Sequence, residues 1–157
     1  MNIPNSELDE VDRRILNALQ ENAALTNAEL AQAVHVSPPT CLRRVKQLTD
    51  SGVILRQVAI VAPEAVGARL TAIVEITLDV QAAERMVEFE QHVAGDEAVL
   101  QCYRVSPGPD FVLVIQVADM RAYNALAHRL FAAHTNVRNV KTYFSTLRSK
   151  FETRIAV

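Results

Sequence analysis

Residues 26–52 read TNAELAQAVHVSPPTCLRRVKQLTDSG, two short helical patterns around a tight turn. Thr26 stands at a helix N-cap, and Glu29 three residues on completes a capping box, in which each side chain takes up an orphan backbone N–H. Leu30, Ala31 and Val34 supply that helix's apolar face. His35-Val36 forms the turn. Ser37 is placed to cap a second helix, with Pro38 at its first position, where a missing N–H costs nothing. Gly52 follows the last apolar residues and suits a left-handed helix stop.

At about 100° per residue, Leu42, Val45, Leu48 and Thr49 cluster on one side of the second helix. Arg43, Gln47 and Thr40 point the opposite way with Pro39 between them, and Arg44 and Lys46 flank this polar face. An outward guanidinium and an outward amide match guanine and adenine edges in the major groove. Flanking cations match phosphates, which fix register without carrying sequence. A solvated helix also shows a basic face. The capping box, the turn and the Ser-Pro-Pro start occurring together favour a helix-turn-helix, whose second helix enters the groove. Double-stranded DNA is therefore the expected partner.

Upstream, residues 1–7 read as a frayed start. Asp9 can cap a helix running from Glu10 to about Gln20, with Asp12 near its positive end. Val11, Ile15, Leu16 and Leu19 form its stripe. Downstream, Val53-Ile54-Leu55 and Val58-Ala59-Ile60 read as a strand pair, with Arg56 and Gln57 at the tip. Residues 1–60 are thus expected to form a winged helix-turn-helix domain. Residues 61–69, broken by Pro63 and Gly67, read as a hinge.

Residues 70–157 follow a different rhythm. Ala72, Val74, Ile76 and Leu78 alternate with polar residues as a strand does. Ala82, Met86, Phe89 and Val93 recur at helical spacing. Val99–Ser106 and Phe111–Val117 are two strands joined by Pro107-Gly108-Pro109-Asp110. Asp119 caps a helix bearing Met120, Tyr123, Leu126, Leu130 and Phe131, and Val137–Leu147 closes as a strand. The order βαββαβ is the ferredoxin-like split arrangement, so the fold class is α+β.

Two helices cover one face of a four-stranded sheet. Yet the Phe111–Val117 stretch is apolar on both faces, with Val112 and Val114 opposite Phe111, Leu113, Ile115 and Val117. Ile73 and Leu100 also sit opposite helix-facing neighbours. An apolar face left open needs a cover, and the residues after Leu147 are too few to supply it. A second copy is the simplest cover, and Ile73, Leu100, Val112 and Val114 are the expected dimer interface. A dimer also suits a helix-turn-helix, which reads paired half-sites.

Composition excludes several classes. The chain has 157 residues, half of them apolar, and a formal net charge of −2, so it forms one or two domains with enough core to fold unaided. Overall charge gives no case for nucleic acid. The distribution gives some, because acids crowd into residues 7–12 and bases into 43–46. No apolar run approaches the roughly 20 residues of a membrane span, and the start lacks the pattern of a secretory signal. Cys41 and Cys102 lie in no metal or redox spacing and read as reduced, cytosolic hydrophobes. His35, His92, His128 and His134 show no metal spacing. No nucleophile elbow or phosphate-binding glycine loop is present, and Asp96-Glu97 reads as a solvated turn.

The runs LDEVDRRIL (8–16), NAELAQAVHVSPPTCLRRVKQLTDSGVI (27–54) and FEQHVAGDEAVLQCYRVS with DFVL (89–113) resemble the Lrp/AsnC, or feast/famine, transcriptional regulators. The resemblance implies a winged helix-turn-helix, a hinge strand and a βαββαβ regulatory domain. It implies a cytoplasmic regulator that dimerises through its sheets, assembles further to tetramers or octamers, and bends or wraps DNA. Carried over by position, the DNA contacts are Ser37, Pro39, Thr40, Arg43, Arg44 and Lys46, to which the wheel adds Gln47. No catalytic residue, metal or cofactor is implied. The family's effector, often an amino acid, binds between dimers.

At the effector loop the sequence departs from the family's Val-Ser-Gly pattern. It reads Val105-Ser106-Pro107-Gly108-Pro109-Asp110-Phe111, and the two prolines remove main-chain donors for an effector carboxylate. Gly108 and Asp110 remain as donors. The expected pocket comprises Ser106, Gly108, Asp110 and Met120 with Tyr143, Phe144, Ser145 and Thr146. The competing reading of 106–110 is a stiff hairpin loop at an assembly interface. Two other functions fit the architecture. One is a sirohaem-decarboxylase-like enzyme, revealed by tetrapyrrole absorbance. The other is a metabolite-sensing module whose first half docks on protein. Binding to DNA upstream of its own gene separates both from a regulator.

Overall fold

The structure, a computed structural model, describes residues 8–157; the frayed start read for residues 1–7 lies outside them. The chain divides into two compact units. The first runs to Ile60 and includes Lys150–Val157, and the second spans Val61–Ser149.

The first unit holds α1 (Glu10–Glu21), α2 (Asn27–Ala33) and α3 (Pro38–Asp50). Both expected helix starts form as capping boxes, Asp9 with Asp12 and Thr26 with Glu29. Ser37 occupies the N-cap of α3, but its hydroxyl meets the Thr40 hydroxyl at 2.9 Å instead of capping a backbone N–H. His35 sits in the left-handed region at φ 58°, and Gly52 does so at φ 77°. Ile15, Leu16, Leu30, Ala31, Val34, Cys41 and Leu48 form the core.

Two expectations fail here. The buried side of α3 is centred on Cys41 and Leu48, not on Leu42, which is 61% exposed. Cysteine packs as a small hydrophobe, and its place one residue before Leu42 turns the helix relative to the wheel drawn without it. The strand pair of 53–60 is also not formed: those residues join no ladder. A two-residue hairpin needs residues that accept positive φ, and Arg56-Gln57 supplies none.

The second unit opens with a single 3₁₀ turn, Pro63–Val66, ended by Gly67 at φ 84°. Then follow β1 (Leu70–Leu78), α4 (Ala83–Ala94), β2 (Val99–Arg104), β3 (Phe111–Val117), α5 (Met120–Ala127) with a π-helical turn over His128–Ala132, and β4 (Val137–Phe144). The sheet order is β2-β3-β1-β4, antiparallel throughout, as the ferredoxin-like reading requires. β2 and β4 stop short of Ser106 and Leu147. Alternation along β1 and β3 puts Ala72, Val74, Ile76, Leu78, Phe111, Leu113 and Ile115 under the helices, where they meet Phe89, Val93, Tyr123, Leu126, Leu130 and Phe131. Phe89 and Phe111 pack with ring centroids 4.9 Å apart.

Candidate nucleic-acid interface and effector loop

The outward face of α3 is set by what holds its inward face. Cys41 and Leu48 are buried, and burial pushes the Cys41 thiol pKa up, which suits a packing role and not a reactive one. Asn27 on α2 donates its amide N–H to Pro38 O at 3.0 Å, fixing the start of α3 against the preceding helix. Ser37, Pro39, Arg43, Lys46 and Gln47 are then exposed, and Thr40 is half-buried beside Ser37. Among the described residues, Arg43 and Lys46 form no ion pair, unlike Arg44 one position away.

Arg44 does not take the flanking position that the wheel gave it. Its Nη1 donates to Asp9 Oδ2 at 2.6 Å and to Asp12 Oδ1 at 2.8 Å, and its side chain is only 22% exposed. The same turn of α3 that seats Cys41 brings Arg44 to the edge facing α1.

The sequence pattern places residues 150–157 at the end of the second domain, whereas Lys150–Val157 belong to the first unit, held there by α1. Gln20 and Ile155 exchange two hydrogen bonds, 2.9 and 3.1 Å, between the side-chain amide and the backbone. Arg154 pairs with Glu21 at 2.6 Å, and Asn17 Nδ2 donates to Val157 O at 3.4 Å. Within the first unit, α1, residues 53–60 and residues 153–157 line an open cavity of about 840 Å³. The alternation of Phe151, Ile155 and Val157 with charged residues was the available signal.

In the second unit the open sheet face carries Ile73, paired with Tyr143 and Val114, and Val112, paired with Glu75. Ile73 is 41% exposed, Leu100 is exposed at a bulge in β2, and Val112 and Val114 are half-buried. Lys141 lies 4.9 Å from the centre of the Tyr143 ring.

The expected effector residues do not converge in one chain. Asp110 is buried at one end of the sheet, where its N–H donates to Ile76 O at 2.8 Å and its Oδ2 accepts from Leu78 N at 2.7 Å. Its amide is therefore already committed, which corrects its reading as a free donor. Gly108, at φ 123°, remains in the exposed loop with Ser106. Ser145 donates instead to Thr71 O, at the opposite end of β1. Five residues of strand separate these points, roughly 17 Å. Met120 follows the end of β3 that pairs with Leu70, so it lies at the Ser145 end. Phe144 turns to the core face, edge-on to Tyr123 at 5.0 Å, and lines no loop. Ser145 and Thr146 are exposed.

Among the described residues, no His/Cys/Asp/Glu group could hold a metal, and no helix is long and apolar enough to cross a membrane. Asp96 is not simply solvated: it caps Ala98 N at 3.0 Å and pairs with Arg129.

Residues 8–54 match the family described as winged helix-turn-helix DNA-binding, and residues 71–155 the Lrp/AsnC ligand binding domain. The leucine-responsive regulatory protein of Escherichia coli is 34% identical over 98% of this chain and 94% of its own length. An uncharacterized helix-turn-helix-type transcriptional regulator of Haemophilus influenzae is 39% identical over 87% of this chain and 82% of its own. A transcriptional regulator of Neisseria meningitidis, solved as an L-methionine complex, superposes with a TM-score of 0.87 at 32% identity, covering 94% of this chain and 96% of that one.

Proposed function

The chain belongs to the Lrp/AsnC family of DNA-binding transcriptional regulators, and from that premise we propose how its two units divide the work. The first unit reads duplex DNA with Arg43, Lys46 and Gln47, supported by Ser37, Pro39 and Thr40. The observation that carries this is the pair of exposed cations, Arg43 and Lys46, in no ion pair among the described residues, on the second helix of a helix-turn-helix. Arg43 and Gln47 face base edges, and Lys46 faces phosphate.

The second unit joins copies through its open sheet face, around Ile73, Val112 and Val114, and higher assembly follows from further contacts. The effector is a small molecule of the amino-acid class. The separation of the Asp110 end from the Ser145 end supports a site completed between copies, because one chain cannot close both groups around a molecule of that size. The Neisseria relative with bound L-methionine supports the ligand class. The regulator names of the relatives support a non-enzymatic role and a cytoplasmic location.

Selection of bound duplexes from a random pool tests the first unit. Enriched sites should carry two half-sites about one helical turn apart, and no enrichment removes the DNA reading. Thermal shift of the purified protein against the twenty amino acids tests the second unit. A rise confined to one or a few of them is expected, and no rise with any removes the effector reading.

A further inference from the structure

We propose that Arg44 is a positioning residue, which locks the tilt of the reading helix by bridging both carboxylates of the α1 capping box and takes no part in contacting DNA. This rests on the reading of α3 as the DNA-facing helix.

The carboxylate oxygens of Asp9 and Asp12 are fully assigned. Asp9 Oδ1 accepts from Asp12 N at 2.9 Å, and Asp12 Oδ2 accepts from Asp9 N at 3.3 Å, which makes the capping box. The two remaining oxygens, Asp9 Oδ2 and Asp12 Oδ1, both accept from Arg44 Nη1. The first turn of α1 is thus both a helix cap and one half of a tertiary tie. Because the partners are 32 and 35 residues apart in sequence, the tie fixes one helix against another.

Charge argues the same way. One guanidinium between two carboxylates leaves a local net charge of −1, which repels a phosphate. The Arg44 side chain is 22% exposed and that of Asp12 is 18%, so the pair is partly shielded from salt. Lysine cannot replace it on equal terms. An ammonium is a compact, strongly hydrated charge on a flexible stem, whereas both bonds here come from one nitrogen, Nη1, whose two N–H groups are fixed in the guanidinium plane.

The lock also matters for a small core. Seven buried side chains hold three helices, and slight rotation of α3 about the Cys41–Leu48 seat would move Arg43 and Gln47 off base edges. A polar tie at the edge of that seat removes this freedom.

Four variants of the full chain test this: Arg44→Lys, Arg44→Gln, Asp12→Asn and the Arg44→Lys/Asp12→Asn double variant, with Arg43→Ala as control. Asp12→Asn keeps an oxygen for the capping box while losing the charge. For each, the ratio of affinities for a selected site and for random duplex is measured against salt, alongside circular dichroism and Tm. The expected result is a fall of the ratio by about tenfold for Arg44→Lys, the equivalent of one lost base contact. Asp12→Asn should fall as far although it makes the protein less acidic. The double variant should be no worse than Arg44→Lys or Asp12→Asn alone, and the salt slope should stay unchanged in all four, Arg44→Gln included. A purely structural part would lower Tm and leave the ratio of the folded protein intact, which overturns the proposal. A salt slope smaller by about one for Arg44→Gln, which removes the charge that Arg44→Lys keeps, would mark a phosphate contact, which also overturns it. If Arg43→Ala lowers affinity for neither duplex, it is the assignment of α3 that fails, and the Arg44 and Asp12 arms still decide the lock.

Discussion

Among the described residues the core around the three helices is seven buried side chains, from Ile15 to Leu48; under the sheet it is fourteen, from Ala72 to Phe131. The sheet unit is aligned by its ladders, and its buried layer is continuous along β1 and β3. The described residues of the helical unit form no ladder, and its helices are held at their ends by side chains: two capping boxes, Asn27 on Pro38 O, and Arg44 on Asp9 and Asp12. The reading face is therefore as exact as these polar ties. The sheet unit is held by its ladders and buried layer, and the residues expected to bind effector lie at its two ends.

The largest effect belongs to the deeper core. Phe89→Ala empties the space against Phe111 and should cost about 3–5 kcal/mol, measured by urea denaturation. A loss under about 1 kcal/mol would show that the sheet unit does not depend on this layer.

Val114→Glu places a charge on the open face beside Ile73. Light scattering should find monomers, with the circular dichroism of the folded protein retained. Unchanged assembly would move the interface elsewhere, and an unfolded chain would make Val114 part of an internal core.

In the helical unit, strain is stored at one turn. His35 holds φ 58°, which costs a side chain with a Cβ more than it costs glycine. His35→Gly should raise stability by about 0.5–1 kcal/mol after the added freedom of the unfolded chain is counted. A fall would mean that the imidazole makes a contact worth more than the strain.

The smallest effect is a pH dependence of the sheet unit. His134 packs edge-on to Phe89, centroids 5.5 Å apart, and its Nδ1 accepts from Asn136 N at 3.3 Å. Burial, and then the neighbouring His92, hold its pKa below the usual 6.5, while Glu88 opposes them. The unfolded chain then binds the proton first, so stability falls as pH drops below about 6.5 and levels off once the folded group is protonated. The fall in Tm between about pH 7.5 and 5.5 should shrink in His134→Gln; an unchanged fall would assign it to other groups.

The sheet was legible because alternation at Ala72, Val74, Ile76 and Leu78 records which face is covered, and both faces of β3 could be read from Val112 and Val114. The helix starts were legible because Asp9, Thr26 and Glu29 act locally. What escaped depended on distant partners. Arg44 looked like its neighbour Arg43 until Cys41 was seen to anchor the helix. Asp110 looked available until Ile76 and Leu78 were seen to hold it. The split of the effector residues needed the register of β1 against β3 and β4. The place of residues 150–157 needed Gln20 and Glu21 on α1.

The most direct test is the response of Arg43→Ala at a selected site and on random duplex, measured side by side at one salt concentration. Loss of about 1–3 kcal/mol at the site, relaxed preference at one base pair and little change on random DNA are predicted. Equal loss on both would place Arg43 on phosphate, and no loss on either would take the outward face of α3 away from DNA.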